Sequence, residues 1–128
     1  MKKLIVYSLG GFFLLAGINH FVNPEFYLPL IPDYLPYPQF LNFISGALEV
    51  IASIGVCIER SRKYAAWLIL ALMILFIPSH VYFIHIGSCV GDGLCVPEWV
   101  AWVRLVVIHP LLIYWAWVVK DSRFTISN

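Results

Sequence analysis

Charge is scarce in this chain. Lys, Arg, Asp and Glu make up 12% of its 128 residues, 62% are hydrophobic, and mean hydropathy is +0.88. That balance excludes a water-soluble domain of this size, because a small core cannot hide so much apolar surface; the solvent must be lipid. No basic run interleaved with aromatics stands on a polar background, which argues against nucleic acid as a partner. Repeats of solenoid length are missing, as are a His-Glu-x-x-His spacing, a Cys-x-x-Cys pair and any haem, flavin or iron–sulfur motif. An A-x-A-like cleavage site is also missing after the basic, apolar N-terminus, so that stretch reads as a first transmembrane helix and not a removed signal.

What is present is four apolar segments, at about 4–22, 40–58, 64–86 and 97–119. Each is long enough to cross a bilayer, since about 20 helical residues rising ~1.5 Å each match a hydrocarbon core ~30 Å thick. The expected fold is all-α: one domain, residues 1–128, folded as a four-transmembrane-helix up-down bundle. Gly10, Gly11, Ala16 and Gly17 are small enough to let a neighbouring helix approach. The loop 23–39 holds five of the eight prolines, at 24, 29, 32, 36 and 38, which forbid a long helix there. With Phe26, Tyr27, Tyr34 and Tyr37 it belongs in the headgroup layer, as a lid over the bundle or as a stiff connector. Pro78 predicts a kink in the third segment, and Pro97 suits the first turn of the fourth.

Basic residues set the orientation. Lys2, Lys3, Arg60, Arg62, Lys63, Lys120 and Arg123 fall on one side of the four-pass layout, and of the eight Lys and Arg only Arg104 does not. The opposite loops carry Glu25, Asp33, Asp92 and Glu98 and no cation. By the positive-inside rule both termini are cytoplasmic and the loops 23–39 and 87–96 face outward.

Glu49 is the only formal charge in the 19-residue apolar segment 40–58 and is its tenth residue, near the bilayer midplane. A lone carboxylate there must be protonated, paired or wet, and marks a candidate functional site. Asn42, Ser45, Gly46 and Ser53 share its helical face. Arg104 sits about six residues, or ~9 Å, inside the fourth helix and is the expected counter-ion of Glu49, either as a register-fixing pair or as chemistry. His80 lies at a similar depth, with Asn19 and His20 shallower. Together these residues predict an outward pocket closed beneath by Val56, Ile69 and Leu70. Glu49, Arg104 and His80 are its candidate catalytic groups; Asn19, His20, Asn42, Ser45 and Trp102 are its candidate ligand contacts. His20 and His80 are also candidates to shuttle protons or to join Glu49 at a metal, though the spacing makes no metal motif. Trp99, Tyr82 and Trp102 suit an outer aromatic belt, and Trp67, Trp115 and Trp117 an inner one. Cys89 and Cys95, in an outward oxidising compartment, are expected to form a disulfide, either a staple for its loop, which the lack of a Cys-x-x-Cys spacing favours, or a redox-active pair exchanging with a partner or quinone.

The stretch Gly17-Ile18-Asn19-His20-Phe21, followed by Pro24, Ile31-Pro32, Leu35-Pro36 and Ser45-Gly46-x-x-Glu49, resembles the DoxX-like small membrane proteins of bacteria. The resemblance covers the first half of the chain and implies a four-helix bundle in the bacterial cytoplasmic (inner) membrane. Some members are linked to quinone-dependent oxidation of sulfur compounds or to redox complexes, and His20 and Glu49 match the motif positions. The function expected is thus a redox protein or subunit acting on a quinone or other lipophilic substrate. Its partners would be membrane lipid, the lipophile itself and another membrane or periplasmic redox protein. The alternative is a non-enzymatic module that binds a lipophile or assists assembly. Proton-shuffling isomerisation of a lipophilic ring is a remoter reading, by architecture alone.

Overall fold

The structure, a computed structural model, describes residues 1–124. Four rods are long and apolar enough to cross a membrane: Lys2–Val22, Pro38–Cys57, Arg62–His85 and Glu98–Val119. The first is α1 (Lys2–Val22), followed in the proline loop by a single turn, α2 (Pro24–Tyr27), and a 3-10 turn, Leu28–Leu30. The second is α3 (Pro38–Cys57). The third is α4 (Arg62–Leu75) continued by α5 (Ile77–His85), and the fourth is α6 (Glu98–Val103), a π turn at Arg104–Ile108 and α7 (His109–Val119). Among the described residues no strand forms, only an isolated antiparallel bridge between Cys89 and Cys95. The described chain is thus all-helical, with four helices that match the apolar segments of the sequence.

Prolines explain most of the boundaries. Pro24 has no N–H to return to His20, so α1 stops before it. Tyr37 takes a left-handed conformation, φ 55°, and Pro38 then opens α3 in its first turn. The third rod breaks at Phe76, two residues before Pro78, the kink that this proline predicts. Ahead of Pro110 the fourth rod widens: the His109 N–H bonds back five residues to the Arg104 carbonyl. Widening spares the Pro110 ring its clash with the carbonyl four residues before it.

The rods pack as antiparallel neighbours in a ring. Along α1 and α3 the backbones nearly touch. A Cβ on Gly17 would lie 2.9 Å from the Gly46 carbonyl oxygen, and one on Gly46 only 2.6 Å from the His20 Cβ. Gly10 faces Ser53 and Cys57 in the same seam, whereas Gly11 has nothing within 4 Å. Next, α3 meets α4 at Gly55 and Ala65, and α4 meets α7 where the Trp67 and Trp117 rings lie edge to face, 5.7 Å apart. Trp115 closes the ring by donating its indole N–H to the Ile5 carbonyl at 3.0 Å. It therefore turns inward and does not join an aromatic belt.

The dry core fills the end that carries the termini: Val6, Leu9, Phe13, Val56, Ile69 and Val119 are each at most 1% exposed. Arg62 is at that end as expected, but buried. Its guanidinium donates to the Val56 carbonyl at 2.8 Å, to Cys57 at 3.4 Å and to Ser122 at 2.8 Å, over the Phe124 ring. It thus caps the carbonyls that the end of α3 leaves open. Large apolar side chains such as Leu15, Ile51, Ile74 and Leu111, 60–71% exposed, face outward around the ring.

The α1–α3 seam makes a direct prediction. Gly46→Val must push two backbones apart and is expected to destabilise the bundle by about 1–3 kcal/mol, the usual cost of overpacking. Gly11→Ala should change stability by less than about 0.5 kcal/mol. Unfolding of both variants in the same lipid–detergent mixture checks the contrast.

Candidate functional site

At the loop end the ring opens into a cavity of about 390 Å³. Asn42, Ser45 and Glu49 of α3 form one wall, with Ala16 and His20 of α1 beside them. Across from these lie Leu72, Phe76, Ser79 and His80 of the third rod and Arg104 of the fourth. Tyr27, Leu30, Ile31 and Leu35 roof the cavity, so the proline loop is a lid and not merely a connector.

The wall of α1 and α3 is built around a freed carbonyl. Pro24 leaves the His20 carbonyl without a helical donor, and Asn42 Nδ2 takes it at 2.9 Å. That bond orients the Asn42 amide so that Oδ1 faces His20 Nδ1 at 2.7 Å. An amide oxygen only accepts, so Nδ1 carries a proton. His20 Nε2 then faces Glu49 Oε2 at 3.6 Å. Glu49 is 3% exposed and Oε2 has no hydrogen-bond partner. At 3.6 Å the two atoms are adjacent but outside hydrogen-bond distance, and both residues line the cavity.

Tyr27 completes this wall from the lid. Its ring stacks on His20, with centroids 3.8 Å apart and planes at 17°, and Asn19 Nδ2 donates to its hydroxyl at 2.8 Å. Burial pushes the Tyr27 hydroxyl above its usual range; the Asn19 bond opposes this and a charged Glu49 reinforces it. Tyr27 thus stays protonated, and with its oxygen already accepting from Asn19 its own hydrogen is left to donate.

On the opposite side His80 lies edge-on to His109, 4.7 Å between centroids. His109 in turn donates Nε2–H to the Met73 carbonyl in the last turn of α4. The Arg104 guanidinium sits 5.6 Å from the centre of the Phe83 ring and makes no ion pair among the described residues. The expected Arg104–Glu49 pair is therefore replaced by His20–Glu49. The reason is the ring order: α1 and α3 touch through Gly17 and Gly46, while Arg104 is on the rod diagonal to α3.

Of the residues expected at the site, Glu49, His20, Asn42, Ser45, His80 and Arg104 line one cavity. Asn19 stands behind Tyr27 and acts through it. Trp102 is outside the cavity, 45% exposed, with its indole N–H on Glu98 at 3.2 Å. Cys89 and Cys95 are joined at disulfide distance in an exposed loop, also away from the cavity. His20 and His80 belong to diagonal rods, and among the described residues no three His, Cys, Asp or Glu side chains gather as metal ligands. Tyr27, Ser79, Phe76 and Phe83 were missed as lining residues. The Tyr27 signal was available: Pro24 restarts a helical turn, which carries a side chain three residues on back over His20.

A family profile described as a domain of unknown function, DUF8561, matches residues 9–120. No curated protein and no solved structure matches the chain.

Histidine nitrogen spectroscopy tests the pair directly. The wild type should show a proton on His20 Nδ1, whereas Asn42→Leu should shift the ring toward the Nε2–H tautomer, which Glu49 can accept. A bare Nδ1 in the wild type would contradict the arrangement. Loss of both Asn42 bonds should also cost roughly 1–3 kcal/mol of stability.

Proposed function

The chain belongs to the DUF8561 family, and we propose that it is a multi-pass protein of a bacterial cytoplasmic membrane that binds a lipophilic molecule in this cavity and exchanges a proton with it. Both termini are cytoplasmic in this reading. Support comes from the terminal end, which carries Lys2, Lys3, Arg60, Lys63, Lys120 and Arg123, while the loops at the other end carry only acidic charges. The lid then lies at the outer surface, and the cavity is reached from there or from the outer leaflet.

One observation carries the reading: a buried carboxylate oxygen with no hydrogen-bond partner in the protein, set in a largely apolar cavity wall 3.6 Å from the His20 ring nitrogen. Pockets of this kind, apolar with a few convergent polar groups, are where small molecules bind. The substrate class proposed is a quinone or another lipophile with a polar head. The flat ring of a quinone suits walls of Leu, Ile and Phe, and its carbonyl oxygens suit donors from Tyr27 and Arg104. On reduction each oxygen gains negative charge and takes a proton; Arg104 stabilises the charge, and the His20–Glu49 pair and His80 supply protons. Electrons would come from a membrane or periplasmic redox partner. The resemblance to DoxX-like proteins at His20 and Glu49 supports the same direction.

Native mass spectrometry on protein purified from its own membranes tests this. The wild type is expected to retain a quinone or another lipophile, and Glu49→Gln to retain it at least about tenfold less. Equal retention would make Glu49 a structural charge and the protein a plain lipophile-binding module. Retention of nothing by the wild type would end the reading.

A further inference from the structure

The charged groups around the cavity do not pair with one another. Glu49 is its only carboxylate, and its neighbour is His20, not Arg104. Arg104 is its only permanent cation, since a guanidinium does not deprotonate in proteins. The carboxylate nearest along its own rod, Glu98, accepts the Trp102 indole N–H at 3.2 Å instead. Arg104 is left with five N–H donors, no ion-pair partner among the described residues, and an aromatic ring, Phe83, against its guanidinium. A half-buried guanidinium with free donors at the wall of an apolar cavity is a ready partner for an anion.

We propose that the ligand supplies it: the cavity selects a lipophile with one negatively charged head group, carboxylate or phosphate, bound by Arg104. This rests on the reading of the cavity as a lipophile site and names the chemistry of what enters. The planar fork of a guanidinium matches the two oxygens of a carboxylate or phosphate. Contact with Phe83 restrains that plane. His80 offers a further ring nitrogen on the same side. The apolar body lies between Leu30, Ile31 and Leu35 of the lid and Leu72 and Leu75 of the third rod. The loops around the mouth carry Glu25, Asp33, Asp92 and Glu98 and no cation, so a small water-borne anion is repelled while an amphiphile arrives through the bilayer. Its source is either a free lipophilic acid or the head group of a bilayer phospholipid.

The test uses the full chain in phosphatidylcholine nanodiscs, with empty nanodiscs as the blank. Binding of hexadecanoate and hexadecyl phosphate is compared with that of methyl hexadecanoate and hexadecanol. The wild type is expected to bind the two anions at least about tenfold more tightly than the two neutral probes, the scale of one charge-assisted contact. Arg104→Gln should bring all four to the neutral level, and Arg104→Lys should keep part of the preference. Thermal melts confirm that both variants fold. Competition when phosphatidylglycerol is added to the nanodisc assigns the head group to the bilayer; absence of competition assigns it to a free acid. Equal binding of acid and ester, unchanged in Arg104→Gln, overturns the anion proposal and leaves the lipophile site standing. No binding of any probe, by wild type that still retains a lipophile from its own membranes, also overturns it. No probe bound and nothing retained overturns both.

Discussion

The backbone contact between Gly17 and Gly46 is the constraint on which the site depends. Side chains on neighbouring helices ordinarily hold the axes some 8–10 Å apart. Here neither residue has a Cβ, and the space where one would be is filled by the other helix's backbone and by His20. Only at that approach does a side chain as short as Asn42 span both the His20 carbonyl and the His20 ring, at 2.9 and 2.7 Å. The same approach places His20 against Glu49. Bundles in lipid associate through close packing because lipid tails supply no hydrophobic drive. The small residues that hold α1 and α3 together therefore also bring His20 beside Glu49.

Prolines do the complementary work. Pro24 and Pro38 bound the lid, Pro78 breaks the third rod, and Pro110 forces the π turn of the fourth. Each lies toward the cavity's end of the bundle or beside its polar groups, while the terminal end, where Leu9, Val56 and Ile69 pack, has uninterrupted helices. Broken helices release backbone groups, and in an apolar medium each must find a partner. The His20 carbonyl finds Asn42, and the Met73 carbonyl finds His109. These bonds fix the two rings that reach toward the cavity, His20 directly and His80 through its contact with His109. The irregular half of the bundle is thus kept rigid by the side chains that line or back its cavity.

The spans were legible in the sequence because hydropathy and proline placement report on single segments: the expected segment at 40–58 is Pro38–Cys57, and that at 64–86 is Arg62–His85. Glu49 was legible for the same reason, as one charge in an apolar run. Its partner was not. Depth along the helices placed Arg104 and His20 both within reach, and depth says nothing about which rods are adjacent and which diagonal. The π turn changes the facing of everything beyond Arg104, and no residue type marks it in advance. Tyr27 was read as an interfacial aromatic because its stack on His20 depends on a four-residue helix too short to leave a periodic pattern. Arg62 was counted as one of a basic group, although three carbonyls hold it inside. In each case the missing information is a tertiary neighbour.

The two charged groups of the cavity stand on different walls. Glu49 is on α3 beside His20, and Arg104 is on the diagonal rod against Phe83. Among the described residues they form no ion pair with each other. In a low-dielectric enclosure opposite charges attract strongly, and holding either alone is costly. The ring order nevertheless keeps them apart, because it is α1 that touches α3 through Gly17 and Gly46, and the close approach there gives Glu49 a histidine as its neighbour. A polar ligand set between the walls would therefore meet both groups at once, the carboxyl from one side and the guanidinium from the other.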